Sequence, residues 1–153
     1  MSPSKNTARK GTRIELLAIN YLEAQGYVVH RCIRHAARRG PRFISISNDV
    51  FGCIDLIAKK QGERTRWIQV TAGSGIGDKK THLARVPWDS NHDCVEVWRW
   101  VPPGKKFDGR TGLPRPRRYF QVYLAEEGFE LQAARRIFLQ TQRATTRPQN
   151  SST

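Results

Sequence analysis

Three features of the sequence predict an α/β fold, a mixed β-sheet with helices packed on it. They are an amphipathic helical stripe near the N-terminus, two apolar strand segments joined by a short polar connection, and an alternating strand that follows a second short helix. One domain is expected over residues 1–143, because 153 residues with 38 % hydrophobic content supply one core. Residues 144–153, rich in Thr, Gln and Ser, read as a disordered tail.

The first helix begins between Asn6 and Gly11 and runs to about Gln25. Its apolar residues Ile14, Leu17, Ala18, Tyr21 and Leu22 recur at the spacing of one buried face. Gly26 stops it, in the usual place for a residue that takes positive φ. Tyr27 to Ile33 reads as a strand, and Arg34, Arg38, Arg39, Gly40, Pro41 and Arg42 as a basic loop, with Phe43 to Ile46 a short strand or part of that loop. Cys53 to Ala58 and Arg66 to Thr71 form a hairpin around Lys59–Arg64. A Gly-rich loop at 73–77 leads into a short helix from Asp78 to Arg85. This loop lacks the Gly-Lys-Ser/Thr end of a phosphate-binding P-loop. Cys94 to Val101 is a strand ended by Pro102-Pro103, 103–117 is a Pro/Gly/basic loop, and Tyr119 to Leu124 is another strand. Residues 129–140 fit either strand or helix.

The chain carries a formal charge of +14, from 27 Lys and Arg against 13 Asp and Glu. The excess is not uniform. Residues 1–40 hold eight basic and two acidic residues, 41–100 nine and seven, and 101–153 ten and four. Two basic ends thus flank a nearly neutral centre. A polyanionic partner is expected, nucleic acid before an anionic membrane surface, because each phosphate neutralised by Lys or Arg releases a condensed counterion. Arg9, Lys10, Arg13, Arg31, Arg34, Arg38, Arg39 and Arg42 are the candidate phosphate contacts, or else a solvated basic face. No apolar run reaches 18 residues and no apolar stretch follows the N-terminus, so a membrane span and a secretory signal are not expected and an intracellular, cytoplasmic location is. Cys32, Cys53 and Cys94 are odd in number and show no Cys-x-x-Cys spacing, so they read as small buried hydrophobes. The four histidines show no metal-ligand spacing.

Polar residues stand where the hairpin strands should be apolar. A period of two places Cys53, Asp55 and Ile57 on one face, opposite Ile54, Leu56 and Ala58, and places Trp67, Gln69 and Thr71 together on the neighbouring strand. A carboxylate in an apolar strand is costly unless it is paired or binds a cation. Glu15, at the edge of the helical stripe, can point toward the sheet. Glu15, Asp55 and Gln69 together offer two carboxylates and an amide oxygen, the hard ligands that Mg²⁺ takes alongside water and phosphate. The plain alternative is a salt-bridged strand-end Asp55, an edge amide at Gln69 and a solvated Glu15.

Arg9-Lys10-Gly11-Thr12-Arg13-Ile14-Glu15, the helix to Gly26-Tyr27, Ile54-Asp55-Leu56-Ile57-Ala58 and Ile68-Gln69-Val70-Thr71 resemble the archaeal-type Holliday junction resolvases of the PD-(D/E)XK nuclease superfamily. The resemblance covers residues 8–82, leaving 103–143 as a C-terminal extension. It implies a restriction-endonuclease-like sheet flanked by helices, and a homodimer that cuts branched double-stranded DNA with Mg²⁺ or Mn²⁺. By position it makes Glu15 and Asp55 metal ligands, puts Gln69 at the Glu of a Glu-x-Lys motif, lets the Val70 carbonyl complete the shell, and sets Ser45 or Ser47 near the scissile phosphate. Two departures stand out. Gln69 brings no charge, and Thr71 occupies the place of the lysine, so Lys79, Lys80 or His82 would have to supply the missing cation. Trp98 and Trp100 share a strand face and are expected at a subunit interface or under the 103–117 loop. Nucleases for flaps, nicks or duplex DNA, and a non-catalytic DNA-binding protein, are the alternatives.

Overall fold

The computed structural model describes residues 5–32, 35–39, 42–46, 50–73, 76–102, 118–130 and 134–139. Helix α1 (Lys5–Ala24) is followed by strands β1 (Val28–Arg31), β2 (His35–Arg39), β3 (Arg42–Ile46), β4 (Leu56–Lys59) and β5 (Thr65–Thr71). Helix α2 (Ile76–Ala84) then leads to β6 (Asp93–Val101), β7 (Tyr119–Leu124), a single 3-10 turn at Ala125–Glu127 and β8 (Arg135–Phe138). Six strands form one mixed sheet in the order β1-β4-β5-β6-β7-β8, and β2 pairs with β3 in a separate hairpin. All neighbours in the large sheet are antiparallel except β5 and β6. That parallel pair needs a crossover, which α2 supplies.

The strand period sorts the core into two layers. On one face Leu56, Ala58, Ile68, Val70, Trp98, Trp100, Phe120 and Val122 meet Ile14, Ala18 and Leu22 of α1. On the other, Ile57, Trp67, Val95, Val97 and Tyr123 pack with Leu83 of α2 and with Cys53 and Ile54. Leu22, Leu56, Ile68 and Leu83 are fully buried, and each such side chain stabilises by roughly 1.5–3 kcal/mol relative to exposure. The expected α/β class, with a helix on each face of a mixed sheet, is present. α1 ends where expected: Gly26 takes φ 85°, and the Tyr27 amide donates to the Leu22 carbonyl at 3.1 Å.

Several expectations need correction. The basic segment expected as a loop is instead the β2–β3 hairpin, with Arg39 opposite Arg42 across the Gly-Pro dipeptide, a strong turn signal in itself. The strand expected from Cys53 starts only at Leu56. Before it, Val50 bridges Ile54 around a tight turn in which Phe51 and Gly52 take φ 55° and 69°. That turn moves Ile54 onto the α2 side, away from Leu56 and Ala58. Trp98 lies in the interior and not at a subunit interface: it has no exposed surface and packs against Tyr21 of α1 and Phe120 of β7, while Trp100 is buried against Phe120, and the 103–117 loop expected over the pair lies outside the described residues. The ambiguous stretch at 129–140 contains β8. Cys32 and Cys53 are buried as expected, while Cys94 is only half-buried. The 103–117 loop and the 144–153 tail lie outside the described residues.

Candidate metal and phosphodiester site

Asp55 stands one residue before β4. The last ladder pair on that side is Leu56 with Ile68, so the Val70 amide, two positions further along β5, meets no β4 backbone. The Asp55 side chain takes that place: its Oδ2 accepts the Val70 N–H at 2.8 Å and the Gln69 Nε2–H at 2.5 Å. A charged acceptor makes these stronger than a neutral ladder bond. Gln69 is buried, and it suits the position because an amide can donate to the neighbouring carboxylate, where a second carboxylate would repel it. Asp55, Gln69 and Val70 are therefore brought together, Val70 through its N–H.

Glu15 is held one strand away. Its Oε2 accepts from Arg31 Nε at 2.7 Å and Nη2 at 2.6 Å, with both side chains about three-quarters buried. Arg31 lies opposite Leu56 in the β1–β4 ladder, and the Cys32 amide donates to the Asp55 carbonyl at 2.8 Å. The Glu15–Arg31 pair and Asp55 thus adjoin through two consecutive residues of β1 and the chain beyond it.

The proposed replacement cations divide. Lys80 donates to the Phe129 carbonyl and lies 4.5 Å from the centre of the Tyr123 ring. Tyr123 pairs with Val97, which pairs with Gln69, so Lys80 is drawn two strands away from Gln69. Lys79 is half-buried on α2 with no acidic partner among the described residues, and His82 is exposed in the last turn. Thr71 is buried at the end of β5. Lys10 and Arg13 are exposed on α1. Arg34 and Ser47 lie outside the described residues, as do the side chains of Arg9, Arg38, Arg39, Arg42 and Ser45.

Among the described residues no three His, Cys, Asp or Glu side chains group as a ready-made cation cluster. The donor set still fits a hard cation in kind, since Asp55 and Gln69 are in contact and both carry oxygen ligands. Gln69 would have to turn its amide to present Oε1, and Glu15 would have to release Arg31. A Mg²⁺ held by Asp55 and Gln69, with Glu15 and the Val70 carbonyl, would lower the pKa of a water and neutralise phosphate charge.

A second polar cluster was not anticipated from the sequence. Arg66 of β5 and Glu96 of β6 form a buried ion pair on the α1 face, and Glu96 is only 2 % exposed. The signal was present: a glutamate between two valines, beside a strand carrying an arginine at an inward position. This pair lines a cavity of about 600 Å³ whose other ions are also matched, Lys60 to Glu63 and Arg64 to Glu126. It lies toward the opposite end of β5 from Gln69 and Val70. No protein-family model, curated protein or solved structure matches the chain.

Proposed function

We propose that the protein is a metal-dependent DNA endonuclease that hydrolyses phosphodiester bonds in branched DNA, four-way junctions first. The observation that carries this reading is the Asp55–Gln69 contact at the end of β5, with Glu15 supported by Arg31 on the adjoining strand. It puts two side chains that carry hard oxygen ligands in contact, in a chain whose charge of +14 favours DNA. Asp55 and Gln69 would hold the metal, with Glu15 as a further carboxylate ligand if released from Arg31, and Lys79 is the freer of the two candidate lysines, because Lys80 is engaged elsewhere. A homodimer would present two such sites to symmetrically placed strands.

The test is cleavage of a panel of four-way junction, flap, linear duplex and single-stranded DNA with Mg²⁺ or Mn²⁺, by wild type and Asp55→Asn. Junction cleavage lost in Asp55→Asn, with binding retained, is the expected result; full activity in that variant would overturn the site assignment. Size-exclusion chromatography with light scattering tests the dimer.

A non-catalytic DNA-binding protein is favoured by one specific arrangement. The Gln69 amide donates to Asp55, so the pair is satisfied without a cation, and a buried hydroxyl, Thr71, occupies the place of the lysine. Binding without cleavage on every DNA of the panel would establish that reading instead.

A further inference from the structure

We infer that a small cationic pocket between α1 and the end of β6 takes one nucleotide of an unpaired DNA strand. The pocket, about 270 Å³, is lined by Lys10, Arg13, Ile14, Leu17, Trp100 and Arg118. Its composition differs in kind from that of the large cavity at the other end of the sheet. There each of Lys60, Arg64 and Arg66 lies on a carboxylate. Here three cations converge with no acidic residue in the lining, and none of the three forms an ion pair with a described residue. Unmatched cations around a concavity attract an anion and hold it without first breaking an ion pair.

The floor narrows the class of anion. Ile14 and Trp100 are buried and Leu17 half-buried, so the base of the pocket is apolar while its rim is charged. A free phosphate would gain nothing from that floor, whereas a nucleotide matches both parts, its phosphate on the cations and its sugar or base over Leu17 and Trp100. The volume lies just below the small-ligand range of roughly 300–1,000 Å³ and is far too small for a duplex. A paired strand buries its bases against its partner, so an unpaired strand suits a concave site. Arg118 directly precedes β7, at the same end of the sheet as Trp100 near the end of β6.

The inference rests on the DNA-binding part of the proposed function and not on cleavage. It deepens that reading by selecting branched DNA with a single-stranded arm. The experiment is fluorescence anisotropy without divalent metal, comparing a fork that has one single-stranded arm with a blunt duplex of equal length, across a salt series. Wild type is compared with Arg118→Ala, with Arg118→Lys, and with Arg85→Ala, which removes the same charge from an exposed position on the chain after α2.

Arg118→Ala should weaken fork binding roughly tenfold, the loss of one charge-assisted contact, and leave the blunt duplex within about twofold. Its salt slope on the fork should fall by about 0.7, one single-strand phosphate. Arg118→Lys should recover most of the affinity, which separates charge at the pocket from damage to the fold. Equal weakening on fork and duplex would overturn the proposal, as would a loss no larger than that of Arg85→Ala. Wild type that binds neither DNA would overturn this inference and the proposed function together. Arg118-dependent fork binding without cleavage of any DNA of the panel would overturn only the endonuclease reading.

Discussion

Arg66 reaches diagonally across the parallel β5–β6 boundary to Glu96, with Nε 2.9 Å from Oε1 and Nη2 2.7 Å from Oε2. Glu96 also accepts from Trp98 Nε1 at 2.5 Å and from the Cys94 thiol at 3.1 Å. The guanidinium stands near the Tyr27 and Trp98 rings, at 5.1 and 5.5 Å from their centres. Burial pulls the Arg66 pKa down, but the Glu96 hydrogen bonds and charge outweigh it, so the group is held above its ordinary value and stays charged. Both charges therefore occupy the α1-side core, each satisfied by the other.

Removing one member of this pair should be far more damaging than removing both. Glu96→Ala leaves a largely buried guanidinium without its carboxylate and should cost roughly 3–5 kcal/mol in urea unfolding. A double replacement, Arg66→Met with Glu96→Leu, avoids the stranded charge and should lie within about 2 kcal/mol of wild type. A double variant whose loss equals the sum of the losses in Arg66→Met and Glu96→Leu would show that the pair is not coupled.

Gly52 takes φ 69°, and a methyl group placed on it meets no atom within 4 Å. Gly52→Ala should therefore cost roughly 1–2 kcal/mol from backbone strain alone, since a left-handed conformation is the only obstacle. Phe51, at φ 55°, already bears such strain, offset by its edge-on contact with Trp88 at 5.9 Å between ring centres. Phe51→Asn should change stability by less than about 1 kcal/mol, because Asn tolerates that conformation while giving up the ring contact. Urea midpoints for the two variants check both statements.

What the sequence made legible follows from how local its signals are. The α1 stripe, β5, β6 and β7 come from period and turn residues a few positions apart and lie where expected, while β4 starts only at Leu56 because of the turn at Phe51 and Gly52. Asp55 and Gln69 could be placed together because a hairpin with a short connection allows few registers. The position of Lys80 is not legible in the same way: its attachment to Phe129 joins residues 49 positions apart, which no local pattern reports. The Arg66–Glu96 pair joins strands 30 positions apart across a helical crossover, and the tryptophans are internal because β7 and α1 sandwich β6. Periodicity indicates which face a residue takes, not what closes over it.

The Cys94 thiol gives the fold an alkaline sensitivity. Burial, then the Glu96 charge and its hydrogen bond, push its pKa from an ordinary 9.0 up to about 12. Below pH 9 both folded and unfolded chains keep the proton, and the contribution is constant. Between pH 9 and 12 the unfolded chain loses the proton while the folded chain retains it, so stability falls as pH rises. Urea midpoints at pH 8 and pH 10.5 should drop more in wild type than in Cys94→Ala. The native protein should also react slowly with iodoacetamide at Cys94 at pH 8, because little thiolate is present.

Gln69→Glu tests whether the amide is what satisfies Asp55. In wild type the Gln69 Nε2–H lies 2.5 Å from Asp55 Oδ2. Replacing it with a carboxylate turns an attraction into a repulsion between a buried and a half-buried like charge, and without divalent metal the variant should melt below wild type. The same change raises the negative charge of the proposed ligand set from two to three, so Mn²⁺ or Mg²⁺ should bind more tightly to the variant. Metal that binds only the folded state stabilises by mass action, so the Tm of Gln69→Glu should rise on adding Mn²⁺ by several degrees more than that of wild type. Asp55→Asn in the same background should remove both effects, since it takes away the repelling charge and a metal ligand at once. A Tm for Gln69→Glu that falls without metal but does not respond to Mn²⁺ would show that Asp55 and residue 69 form a structural pair and not a cation site.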